Sequence, residues 1–201
     1  MRKVLLGCCL TAMLAVPVIA QDGSTPQQAP PTDPLATYLK GAFKSNANYL
    51  VKSAQEFPDE KYTVKLGTQR ETRTFAALIA HVIRANYFYC SIAKGEADPQ
   101  TKDYEKNPGT KAEIATAMQA AIDYCTPIYD ALTDANAMEM VTPPAAPGHA
   151  PGSPQPRAAI LIRDLAHNNE EYGNIVGYFR ANNLVPLFSE NQNQGGGRRG
   201  N

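Results

Sequence analysis

The sequence predicts an all-α protein, a four-helix bundle, on three observations. Four separate stretches carry apolar residues at three-and-four spacing, the period that lays a stripe along one face of a helix. No stretch makes a convincing strand. The connections between the stretches are long and rich in Pro and Gly, as bundle crossovers often are. With 201 residues the chain holds one domain of ordinary size, large enough to bury a core.

The chain begins with a segment that does not belong to this domain. Met1 to Ala20 places Arg2 and Lys3 ahead of an apolar run from Val4 to Val16 and ends in VIA before Gln21, which reads as a secretory signal peptide cleaved after Ala20. Cys8 follows LLG and imitates a lipoprotein box. Cleavage there would leave a hydrophobic segment too short for export, so ordinary cleavage is the favoured reading and a lipid anchor on Cys8 the minor one. Residues 21–32 are Gln-, Pro-, Ser- and Thr-rich and form a flexible leader. The bundle is expected over 33–190.

Asp33 is a suitable N-cap and Pro34 a suitable first residue for a helix marked by Leu35, Tyr38, Leu39, Ala42, Tyr49 and Leu50 and ending near Pro58. Asn46 shares that face and needs a buried partner. Lys61 to Arg70 is a polar connection. A second helix runs from about Thr72 to Ala93, with Phe75, Leu78, Ile79, Val82, Asn86 and Tyr89 inward and Gly95 as its stop. Gly95 to Gly109 is a loop long enough to span the bundle. Thr110 and Glu113 make a capping box for a third helix, through Ile114, Met118, Ile122, Cys125, Ile128 and Leu132, that Pro127 should kink. Thr142 to Pro156, with six prolines and two glycines, is a structureless connection before a fourth helix opens near Arg157. Asn191 to Asn201 has nothing to bury and should be disordered.

Charge narrows the partners. The chain has 19 basic and 19 acidic residues, and loss of Arg2 and Lys3 with the signal leaves a net charge of −2. That balance points to neither nucleic acid nor an acidic surface. Beyond the signal no segment reaches the roughly 20 apolar residues of a membrane span. Cys90 and Cys125 are the thiols of the mature chain. Outside the cytoplasm they either oxidise to a disulfide or pack as two buried free thiols.

The chemistry concentrates in HNNEEYGNIVGYFRANNLVP, from His167 to Pro186. His167 and Glu171, four residues apart, project from the same side of the fourth helix and can reach one ion. A solvated pair on the helix shoulder is the plain alternative. His81 occupies a matching shoulder of the second helix and is the candidate third group. His149 lies in the Pro-rich connection, where a lone His is usually solvated. Asp164 and Glu170 face water or orient an imidazole, and Tyr87, Tyr89, Tyr172 and Tyr178 either line a substrate pocket or fill the core. No Ser or Cys stands in a nucleophile's setting.

RTFAALIAHVIRANYFYC, with His81 inside it, followed by HNNEEYGNIVGYFRANNLVP, resembles the DinB-like superfamily, bacterial four-helix bundles that include metal-dependent thiol transferases. The resemblance covers roughly residues 34–186. It implies an up-down-down-up bundle with a long crossover between helices two and three, and a divalent metal, zinc or nickel more than iron. It also implies one His ligand from the second helix, carried over to His81, and two from the fourth. The first of these is His167; where the pattern has a second His, this chain has Glu171. A carboxylate can still bind such an ion, and it cancels one unit of the ion's charge. The reading is therefore an exported, periplasmic or extracellular, metal-binding bundle whose ion supports transferase or hydrolase chemistry on a small molecule. The alternative is a non-catalytic binding or structural bundle whose site has decayed; a homodimer is compatible with both. Cys90 and Cys125 test the topology, because they lie at one level only if the second and third helices run parallel.

Overall fold

The computed structural model describes residues 32–144 and 152–195. The signal segment, Cys8, most of the leader and His149 lie outside the described residues. Four long helices carry the fold: α1 (Pro34–Glu56), α2 (Phe75–Lys94), α3 (Lys111–Asp130) and α5 (Arg157–Ala181), with a short α4 (Asp134–Ala137) and a terminal α6 (Leu187–Gly195). α2 packs on α3 and α5, and α1 packs on the same two helices, so the four form a closed ring.

Direction follows from what meets at each end. The Phe57 ring, just past α1, stacks on Phe75 at the start of α2, 3.8 Å between centroids, and lies 5.3 Å from Phe179 at the end of α5. The carbonyl of Phe57 accepts from Lys111 Nζ at the start of α3, at 2.7 Å. At the opposite end Asp134, beyond α3, accepts from the amide of Ala36 at 2.8 Å. Hence α2 and α3 run parallel to each other and antiparallel to α1 and α5, the up-down-down-up order, with residues 95–110 crossing the length of the bundle. Cys90 and Cys125 lie at one level and are joined in a disulfide, Cα to Cα 5.5 Å. Closing that loop stabilises the fold by about 4 kcal/mol on a chain-entropy account.

Local sequence sets the helix ends. Thr74 caps α2 through its hydroxyl, which accepts from Ala77 N, and Gly95 ends it at φ 81°, a left-handed conformation that favours glycine. The Thr110–Glu113 capping box opens α3 as expected. Asp33 behaves differently. Its carboxylate accepts from the amide of Asp134, whose own carboxylate caps α1, so the two aspartates cap across the fold and neither caps its own helix.

Several expectations need correction. The buried face of α1 is Ala36, Leu39, Phe43, Ala47, Leu50 and Ala54, whereas Tyr38 is 71% exposed and Leu35 lies outside, because α3 and α5 approach on one narrow side. The connection before α5 is not wholly structureless: β1 (Met140–Val141) pairs antiparallel with β2 (Gln155–Pro156) as a two-residue ribbon. α6 continues through residues 191–195, inside the tail expected to be disordered. By length and composition α2 meets the measure of a membrane span, but 67% of its apolar window is buried inside the bundle, where protein replaces lipid.

Candidate metal centre

His81 on α2 and His167 and Glu171 on α5 come together. His81 Nε2 lies 3.1 Å from His167 Nε2, and Glu171 Oε1 lies 3.6 Å from the first and 3.8 Å from the second. A triangle of those sides has a centre about 2.0 Å from every corner, and zinc binds such donors at about 2.0 to 2.2 Å. The i, i+4 spacing on α5 supplies two corners; the packing of α2 on α5 supplies the third.

That packing is set by amides. Asn86 and Asn168, both fully buried, exchange two hydrogen bonds, Nδ2 to Oδ1 at 3.0 Å one way and 3.1 Å the other. Asn168 adjoins His167, and Asn86 stands five residues after His81, so the pair fixes the register of the two ligand-bearing helices. Sliding one helix leaves buried amide groups unpaired, at roughly 1–3 kcal/mol each. Asn168 also donates to Asp164 Oδ1 at 3.3 Å, and Tyr129 donates to Asp164 Oδ2 at 2.8 Å. Asp164 is fully buried, and its hydrogen-bond partners among the described residues are Tyr129 and Asn168, contrary to the expectation from its flanking position that it faces water or an imidazole. Burial pushes its carboxyl up to about 7, against the opposing hydrogen bonds from Tyr129 and Asn168. Glu170 is exposed, as expected.

Two further groups support the triangle. Glu105, on the crossover, holds Oε1 3.0 Å from His81 Nδ1. A carboxylate there accepts a hydrogen bond from Nδ1–H and leaves the Nε2 lone pair facing the other two donors. Asn174 donates to Glu171 Oε2 at 2.9 Å, which leaves Oε1 facing the imidazoles. Burial, with His81 nearby, holds His167 below the usual imidazole range, the neutral form a metal requires. His167 Nδ1 is buried and has no hydrogen-bond partner among the described residues.

Glu105 carries no sequence signal, because nothing local ties a loop carboxylate to a helix 24 residues earlier. Asn174, three residues beyond Glu171, was within reach of helical spacing. Of the four tyrosines, Tyr178 lines a cleft of about 230 Å³ beside the triangle, with Leu66, Glu71, Thr72, Arg73 and Glu171. Tyr87, Tyr89 and Tyr172 pack against the core. Cys90, Cys125 and Asp164 also cluster, but the sulfurs are spent in the disulfide.

The family model described as the DinB superfamily matches residues 42–171. A crystal structure of a DinB-like protein from Bacillus cereus ATCC 10987 superposes with a TM-score of 0.60, covering 74% of this chain and 93% of its own at 16% identity. At that identity the likeness shows the fold. No curated protein matches.

Proposed function

The chain belongs to the DinB superfamily, and from that premise we propose that it is an exported bundle that holds one divalent ion through His81, His167 and Glu171 and acts with it on a small molecule. The convergence of two imidazole nitrogens and a carboxylate oxygen on one point carries this reading. The donor set fits the ion: two neutral nitrogens and one anionic oxygen suit zinc or nickel, with iron a poorer third. Bound there, the ion supplies Lewis-acid chemistry for transfer or hydrolysis.

The residues around it have separate tasks. Glu105 fixes the tautomer and plane of His81, Asn174 aims Glu171, and the buried Asn86–Asn168 pair keeps α2 and α5 in register. The cleft beside Glu171 gives a small molecule access from one side. Export is supported by the form of residues 1–20 and by the Cys90–Cys125 disulfide, which belongs to an oxidising compartment. Mature protein beginning at Gln21 is the expected product.

A second reading, a bundle that kept the fold and lost the ion, rests on the 3.1 Å approach of the two imidazoles, which a single proton between them also satisfies. Native mass spectrometry of untagged protein separates the two. One zinc or nickel per chain, lost in His81→Ala and His167→Ala and weakened in Glu171→Ala, is the expected result. Protein that stays metal-free after loading with both ions leaves the second reading standing.

A further inference from the structure

Arg73 sits at the edge of the same cleft, on the segment that leads into α2, and its charge has no assigned work. Its backbone carbonyl accepts from the Tyr178 hydroxyl, which ties the residue to α5. Its Nη2 lies 3.4 Å from His81 Nδ1. Glu105 already occupies that nitrogen at 3.0 Å, and when Nε2 faces an ion Nδ1 carries the proton, so it cannot also accept from Arg73. Among the described residues Arg73 forms no ion pair. A guanidinium fork is thus left uncommitted beside the metal triangle, in a cleft that Glu171 also lines.

We infer that Arg73 is the anchor for the carboxylate of a small organic acid whose other end reaches the ion. This rests on the metal reading above. The guanidinium matches a carboxylate with two parallel hydrogen bonds. The charges around the cleft limit the class further. A bound dication takes up the charge of Glu171, while Glu71 on the same lining repels a second anionic group. A cleft of about 230 Å³ is smaller than the roughly 300 Å³ at which pockets for drug-sized ligands begin. The ligand class is therefore a small monocarboxylate carrying a metal-seeking or electrophilic group a few bonds away.

Cobalt(II)-substituted protein tests this with a visible spectrum as the readout. The probes are 3-mercaptopropionate and 2-mercaptoethanol, which share a thiol for the metal and differ in whether the far end is anionic. Wild type should bind the carboxylate probe about tenfold more tightly. Arg73→Ala should abolish that preference and leave 2-mercaptoethanol unaffected; Arg73→Lys should retain part of it. Arg73 is exposed, so the variants should fold, and the cobalt bands themselves report an intact site. Cobalt bands with equal affinity for the two probes, or a preference that survives Arg73→Ala, overturn this inference and leave the metal reading intact. Absence of cobalt bands in wild type overturns both.

Discussion

Replacing Asp164 by Asn should remove a large part of the pH dependence of folding. The carboxyl is fully buried and its pKa is pushed from the ordinary 3.8 up to about 7. The protonated form satisfies every neighbour. Protonation reverses the bond between Tyr129 and Oδ2, so that Oδ2–H donates to the Tyr129 oxygen; the Tyr129 proton is then free for Leu161 O, 2.9 Å away, and Asn168 donates to Oδ1. The ionised form leaves one Tyr129 proton shared between two acceptors. The sign follows from the raised value. The folded state holds the proton up to pH 7 while the unfolded chain loses it near pH 4, so this group's contribution is complete below pH 4 and is lost as pH rises through 7. Between pH 5 and pH 8 the loss is on the order of 3 kcal/mol.

Asn reproduces the protonated arrangement at every pH, its Nδ2 replacing Oδ2–H. Urea unfolding of wild type and Asp164→Asn at pH 5 and pH 8 isolates the effect, because other titrations cancel in the difference. The variant should gain on the order of 3 kcal/mol relative to wild type on going to pH 8. Parallel pH profiles for the two proteins would refute the assignment of a neutral, buried Asp164.

Glu105→Ala should weaken zinc binding about 10- to 100-fold in chelator competition, with Glu105→Gln recovering part of it. Equal affinities for all three proteins would show that the crossover carboxylate does not orient His81. Alkylation without reductant should add no mass to the mature protein, and reduction should then lower its stability in urea by about 4 kcal/mol. Two alkyl groups added at the first step would mean free thiols and remove the bond between α2 and α3.

Helices were legible in the sequence because their signals are local. The apolar period, the Thr110–Glu113 box and the Gly95 stop each act within a turn or two of chain. The i, i+4 pair of His167 and Glu171 was legible for the same reason, since one helix fixes their relation before any packing occurs. His81 could be joined to them only by its matching helix shoulder and by the resemblance, because nothing local relates it to a helix that begins 76 residues later. The tertiary structure alone decided what long-range contact decides. It placed Glu105 against His81 from a loop without periodicity, crossed the caps of Asp33 and Asp134, and turned Tyr38 out and Asp164 in. A side chain's period says which face of its helix it occupies; only the arrival of the neighbouring helices says whether that face is wet, and a carboxyl's chemistry depends on that answer.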